Sequence, residues 1–306
     1  MAKIKGNKKK KERGAWTGST GVFIAHRREA DGEIQGLWDH LNEVASLAGD
    51  FADKIGLRIL GELLGILHDL GKASVEFNQY IRSATGLIDP DEDDYIDAKG
   101  IKGKIDHSSA GAQVIYRYFL NKGKDALFVL QMLSLVIASH HSGLIDCLTT
   151  DGKDNFSRRM NKPDEKTRTK EVLLNIDDNI KRKMDELLDN NLITLLNQKL
   201  ISLREDKDSK ETYMFKIGLL TRFLFSCLID ADRLNTADFE FPESAKLRNQ
   251  GNYVEWSVLI ERLNLYLGKF KNQNKVDTLR QDISNYCFDF SSRPKGLYQL
   301  TVPTGG

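Results

Sequence analysis

From Leu37 onward the apolar positions fall at three- and four-residue intervals. Leu37, Leu41, Val44, Leu47, Ala48 and Phe51 form one stripe, the mark of an amphipathic helix. Between Leu57 and Leu70 the pattern changes. Leu57, Ile59, Leu60, Leu63, Leu64, Ile66 and Leu67 cover nearly every side, so this helix is expected to be buried, with Gly71 ending it as a left-handed cap. Residues 83–106 are acidic and aperiodic, a loop. Ser108 or Ser109 can then cap a helix through Val114, Ile115, Tyr118 and Phe119. A second strongly apolar helix is predicted from about Ala126 to Ser139, ending at Gly143. Residues 145–170 are polar and are expected to be mobile. Further helices are predicted near 171–203, 211–231, 254–270 and 275–287. Alternation of Val, Ile and Thr is almost absent before residue 297. The predicted body is all-α.

Both ends of the chain read differently. Residues 1–13 hold seven Lys or Arg and one Glu without apolar periodicity, so 1–20 is expected to be a disordered basic tail. Leu297 to Val302 reads as a short β-strand followed by Pro303-Thr304-Gly305-Gly306, the way a phosphate-binding loop begins, and the chain stops before the Lys such a loop carries.

Charge and composition narrow the classes. Lys and Arg number 45 against 44 Asp and Glu, a net charge of +1, which excludes a chain that is basic all over and leaves a local basic patch open. The longest apolar stretch, Leu127 to Ala138, is interrupted by Gln131 and Ser134 and is too short to span a bilayer, so no membrane partner is expected. No apolar signal segment opens the sequence. The three cysteines, Cys147, Cys227 and Cys287, are too few and too scattered for a disulfide framework or a zinc knuckle, which points to a reducing cytoplasm.

The six histidines carry the chemistry. His68-Asp69 closes the most buried helix and is followed by Leu70-Gly71-Lys72. His140-His141 closes the other apolar helix, His107 precedes a helix start, and His40 lies within the first amphipathic helix. Asp230 and Asp232 lie at the end of the apolar helix near 211–231. A buried imidazole or carboxylate is costly unless paired or bound to a metal, and each of these groups sits where a core helix emerges. A carboxylate can bridge two cations, whereas an imidazole offers one ligating nitrogen. Imidazoles with carboxylates and no thiolate favour Mn, Fe, Co or Ni, with Zn or Mg as alternatives, over calcium. Two such ions ~3.5–4 Å apart can activate water and stabilise the leaving oxygen of a phosphodiester. Lys72 could hold a phosphate oxygen or offset transition-state charge. Asp230 and Asp232 cannot both face one cluster, because two helical residues lie ~200° apart. His26 is read as either structural or substrate-facing.

Taken in order, His40, His68-Asp69-Leu70-Gly71-Lys72 with Phe77 and Tyr80, Asp106-His107-Ser108 with Gly111-Ala112, Ser139-His140-His141-Ser142-Gly143-Leu144 and Ala231-Asp232-Arg233-Leu234 resemble the HD nuclease domain of the CRISPR-associated helicase–nuclease of type I systems. The resemblance covers about 20–290 and implies an HD-superfamily helical domain over 21–290, with 291–306 a linker and the first strand of a truncated helicase domain. It implies a metal-dependent endonuclease and exonuclease of antiviral defence, here without its helicase motor. Its single-stranded DNA would be supplied by that helicase domain after an RNA-guided Cascade-type complex opens the duplex. It further implies that His40, His68, Asp69 and Asp232 ligate one divalent metal and that Asp69, His107, His140 and His141 ligate a second. Asp69 is then the bridge and, with Lys72, the catalytic pair. Asn235 stands where many relatives carry an acidic residue. The alternative is an HD phosphohydrolase of nucleotides or small phosphates. Such enzymes commonly need one metal and fewer histidines, so His107 and His140-His141 argue against it. A docking module with structural metals is disfavoured because structural sites are usually closed by four ligands.

Overall fold

A computed structural model describes residues 23–92, 94–97, 105–124, 126–188, 191–248, 254–270, 273–294 and 296–302. The basic tail and Pro303 to Gly306 lie outside the described residues. The chain divides between Lys246 and Leu247, and the histidines all belong to the first unit.

Two short strands open it, β1 (Ile24–Arg27) and β2 (Ile34–Gly36). They pair antiparallel with a bulge between Ile24 and His26. The sequence pattern predicts no strand here, since strands of four and three residues are too short to show alternation. Apart from an isolated bridge between Leu148 and Asp154, the regular elements in the rest of this unit's described residues are helices, as the pattern predicts. Helix α1 (Leu37–Asp53) leads into α2 (Arg58–Leu67), then a 3₁₀ turn at Leu70–Ala73, α3 (Val75–Ala84), α4 (Ser109–Phe119) and α5 (Ala126–Ser139). The core is built from α1, α2, α4 and α5, where Leu41, Val44, Leu60, Leu63, Leu64, Leu67, Ile115, Leu133 and Val136 are fully buried.

Glycines decide how closely these helices approach. A Cβ on Gly61 would collide with the carbonyl oxygen of Ala48, and one on Gly65 with the backbone of Ala45, so α1 and α2 meet backbone to backbone. Gly111 of α4 lies against the carbonyl of Leu67, and Gly71 against that of His107. Gly71 is therefore not the left-handed cap predicted for it, and its φ is not positive. It is glycine because the loop carrying His107 passes where a side chain would stand. Gly111→Ala, with its Cβ well inside the 3.0 Å that real Cβ atoms keep, should cost roughly 3 kcal/mol by overpacking and lower the melting temperature by roughly 6–12 °C. An unchanged thermal melt would contradict this packing.

The polar stretch 145–170 contains ordered helices rather than a mobile loop. Helices α6 (Asn155–Met160), α7 (Asp164–Thr167) and α8 (Thr169–Asn175) bury Phe156, Met160 and Val172. One buried amide organises them. Gln113 Nε2 donates to the carbonyls of Met160 (3.1 Å) and Lys162 (2.9 Å), and its oxygen accepts from Thr167 and Thr169 at 3.0 and 2.8 Å. The helix predicted near 171–203 is interrupted. Asp177 caps a new start by accepting from the amides of Asn179 and Ile180, giving α9 (Asp178–Leu187) and then α10 (Asn191–Leu203). Helix α11 runs Lys210–Glu240, longer than predicted, with α12 (Pro242–Lys246) after it.

Residues 247–306 form the second unit, with α13 (Trp256–Leu267) and α14 (Lys275–Phe290), neither of which buries a side chain. Leu297 to Val302 form no strand, contrary to the pattern, and are exposed. A strand requires a neighbour's N–H and C=O groups, and among the described residues this segment pairs with none.

Among the described residues no helix is long and apolar enough to cross a membrane.

Candidate metal centre

The six histidine and aspartate positions inferred inside the first 141 residues, and Asp232 on α11, all arrive at one place. His40 comes from the first turn of α1, His68-Asp69 from the end of α2, His107 from the loop before α4 and His140-His141 from the end of α5. The close helix approaches through Gly61, Gly65, Gly71 and Gly111 bring these ends together.

Four of the five rings are held by their far nitrogen. His68 Nδ1–H donates to the carbonyl of Gly65 at 2.7 Å, His140 Nδ1–H to that of Ile137 at 2.7 Å, and His107 Nδ1–H to that of Ile105 at 3.1 Å. The two tighter bonds run from a residue just past a helix end to the carbonyl three residues back, one that helix termini leave unpaired. His40 Nδ1–H donates instead to a side chain, Asn235 Oδ1, at 2.8 Å. Fixing the proton on Nδ1 leaves the Nε2 lone pair free, and in all four rings Nε2 points at Asp69.

Asp69 divides the rings between its two oxygens. Oδ2 lies 3.7 Å from His40 Nε2 and 3.5 Å from His68 Nε2. Oδ1 lies 3.1 Å from His140 Nε2, 3.7 Å from His141 Nε2 and 3.9 Å from His107 Nε2. Asp232 Oδ1 completes the first group at 3.6 Å from both His40 and His68. Asp230, two residues earlier, is exposed and lines a surface pocket with Phe51, Lys54 and Cys227. The buried stripe Leu220, Leu224, Leu228, Ala231 and Asn235 orients α11 and turns Asp232 inward.

These donors fit a divalent cation. Lone pairs facing a carboxylate are repulsive unless positive charge lies between them. The Nε2 atoms of His40 and His68 are buried and make no hydrogen bond, a condition rare for buried polar groups. His107 and His141 face each other Nε2 to Nε2 at 2.6 Å, a spacing that needs a shared proton or cation. Nitrogen and oxygen donors without thiolate suit Mn, Fe, Co, Ni or Zn. Accessibility is graded across the cluster. His40, His68, His140 and Asp69 side chains are at most 2% exposed, Asp232 and His107 reach 19% and 17%, and His141 46%. The most open ligand is therefore His141, of the second group.

The electrostatics follow from burial and crowding. Burial opposes ionisation of Asp69, yet the positive charge of Lys72, and after it that of His68, holds its carboxyl well below the usual range. Burial also opposes the Asp232 charge, and His68 overcomes it. His68 is raised because Asp69 and Asp232 outweigh burial, whereas burial lowers His40 and His140 and pushes His107 down to about 4. Between 6.5 and about 4 the unfolded chain takes up protons that folded His107 refuses, so stability falls as pH falls through that window. His40 and His140 act in the same direction, and His68 alone opposes them. With EDTA present, the melting temperature should drop as pH is lowered from 6.5 toward 4, and a rise would contradict these assignments.

Lys72, expected to hold a phosphate oxygen or offset transition-state charge, points at Asp69. It is 7% exposed and turns inward, with Nζ 2.8 Å from Asp69 Oδ2, 3.4 Å from the Ala25 carbonyl and 3.5 Å from His26 Nε2. In a 3₁₀ turn residues three apart eclipse, which sets Lys72 over Asp69. His26 stands edge-on to His40, its ring centroid 4.8 Å away, and burial followed by Lys72 pushes it down to about 2. Ser108 stands at the N-cap of α4, as expected, but its side chain makes no capping bond. Asp106 accepts from the Ser109 amide at 3.0 Å and hydroxyl at 2.8 Å, and pairs with Lys162 at 2.6 Å. Arg159 donates to Ser108 Oγ at 2.6 Å. The supposedly mobile stretch thus clamps the His107 loop from both sides. Sequence reasoning missed these supports because they join residues about fifty positions apart.

The family model of the Cas3 HD domain matches residues 22–205, which takes in every candidate ligand except Asp232. No curated protein matches the chain. With more than half its length matched, the chain belongs to the Cas3 HD-domain family, within the HD superfamily of metal-dependent nucleases and phosphohydrolases.

Proposed function

We propose that the chain cuts single-stranded DNA with two divalent metal ions, Asp69 lying between them. The observation that carries this reading is the division of the imidazoles between the two oxygens of one buried carboxylate. His40, His68, Asp69 and Asp232 would hold the inner ion, and Asp69, His107, His140 and His141 the outer one. The ions, when bound, supply water activation and neutralise charge on the phosphodiester. Mn, Fe, Co or Ni suits the donor set best, with Zn or Mg as alternatives.

The protein's own part is orientation. Four Nδ1 anchors aim the lone pairs before any ion arrives, and Lys72 keeps Asp69 ionised. Its ammonium lends positive charge beside the reacting phosphate. A strand would approach from the outer side, a reading supported by the exposure of His141 and partial exposure of His107, since a catalytic site keeps an open position. In the cell, that strand would come from a helicase domain acting after a Cascade-type RNA-guided complex, in the cytoplasm.

Circular single-stranded DNA incubated with the protein and Mn²⁺, Ni²⁺ or Co²⁺, without ATP, should be nicked and then degraded, while excess EDTA spares it. Duplex DNA should be cut poorly, because its strands are not separated. Cleavage surviving EDTA, or turnover of deoxynucleoside triphosphates with the circle left intact, would replace this reading with a metal-free activity or with a small-phosphate hydrolase.

A further inference from the structure

Three of the four Nδ1-anchored rings lean on backbone carbonyls, which no substitution removes. His40 is the exception. Its Nδ1–H goes to Asn235 Oδ1, on a helix 195 residues away in sequence. An amide can present its oxygen or its NH₂, and only the oxygen can accept from Nδ1–H. What sets the orientation of Asn235 therefore sets the tautomer of His40.

Two further side chains do this. Glu43 Oε2 accepts from Asn235 Nδ2 at 2.6 Å and from Gln35 Nε2 at 3.0 Å. Gln35 Nε2 also donates to Asn235 Oδ1 at 3.0 Å. A carboxylate oxygen receives these hydrogen bonds, so the NH₂ of Asn235 must face Glu43 and its oxygen must face His40. Gln35 and Asn235 are each 6% exposed, so water does not compete freely for the buried bonds to Asn235 Oδ1, while Glu43 holds the network from the exposed side. The network joins β2 and α1 to α11, the helix that also carries Asp232.

We propose that Asn235 is a positioning residue for the inner metal site, locked by Glu43 and Gln35 so that His40 presents its Nε2 lone pair. This rests on the two-metal reading above. Partners that orient a metal-ligating histidine typically contribute 10–100-fold in affinity or activity. Asn235 is singled out among the anchors because its contribution is a side chain and so can be removed.

The test uses the full chain with Mn²⁺ as probe, read by calorimetric titration, and reads the His40 tautomer of the metal-free protein from its ring ¹⁵N shifts. Asn235→Ala should weaken the tighter Mn²⁺ site by ~10–100-fold and turn a single Nδ1–H tautomer into a mixture. Asn235→Asp combined with Glu43→Gln, which replaces the carboxylate 2.6 Å away with an amide able to donate to it, keeps an acceptor facing His40 and should restore both readings to near wild type, which a merely space-filling residue would not do. Glu43→Ala leaves Asn235 in place but frees its amide to turn, so it should weaken Mn²⁺ in the same direction and serves where Asn235→Ala fails to fold. Wild-type affinity with an unchanged tautomer in Asn235→Ala overturns the inference and leaves the two-metal reading standing. A wild-type chain that takes up no Mn²⁺ overturns that reading, and the inference with it.

Discussion

Asp69→Ala should lose both metal ions and at least ~10²-fold of DNA nicking, the scale for removing an electrostatic element used in the transition state. Other residues face a single group of ligands, whereas Asp69 faces both. Its Oδ2 turns to His40 and His68 and its Oδ1 to His107, His140 and His141. Removing it takes the charge from between two cation sites and leaves Lys72 buried without the carboxylate 2.8 Å away. Asp69→Asn separates these effects, since it keeps the shape and removes only the charge. Metal content by mass spectrometry on the folded fraction, beside nicking rate, should fall for both variants. Lys72→Ala should be milder, because Asp69 keeps its histidine partners. Should Lys72→Ala prove the more damaging, the roles of the two residues are reversed.

The second large effect separates two aspartates on one helix. Asp232→Ala removes the only carboxylate other than Asp69 within 3.6 Å of His40 and His68 among the described residues. Partners behind a ligand already contribute 10–100-fold, so losing a ligand itself should weaken metal binding by no less than ~10-fold, with activity falling alongside. Asp230→Ala changes only the surface pocket beside Phe51 and Lys54 and should retain metal and activity. A metal-poor, inactive Asp230→Ala variant would move the ligand by half a helical turn.

Most of this site could be seen before any coordinates, for a physical reason. His68-Asp69 and His140-His141 end the two most apolar helices, where a buried imidazole or carboxylate is costly unless paired or bound to a metal, and the grouping of the ligands came from the family resemblance. Asp232 was ambiguous from local pattern, because apolar residues surround α11 on several sides. The buried face becomes visible only when the exposed Phe215 and Leu219, at 67% and 50%, are set apart from the stripe Leu220, Leu224, Leu228 and Ala231. The strands Ile24–Arg27 and Ile34–Gly36 were too short to leave a period. Residues 145–170 misled because their polarity is spent inward, on Gln113, Asp106 and Ser108. The inward turn of Lys72 and the reach of Asn235 to His40 are tertiary facts, with no local signature.

The most direct measurement is anomalous scattering from a crystal grown with Mn²⁺ and without chelator, recorded at the Mn absorption edge. The expected map has two peaks flanking the Asp69 carboxylate, one against His40, His68 and Asp232 and the other against His107, His140 and His141. A single peak, or peaks that leave Asp69 on one side, would contradict a bridged two-metal centre.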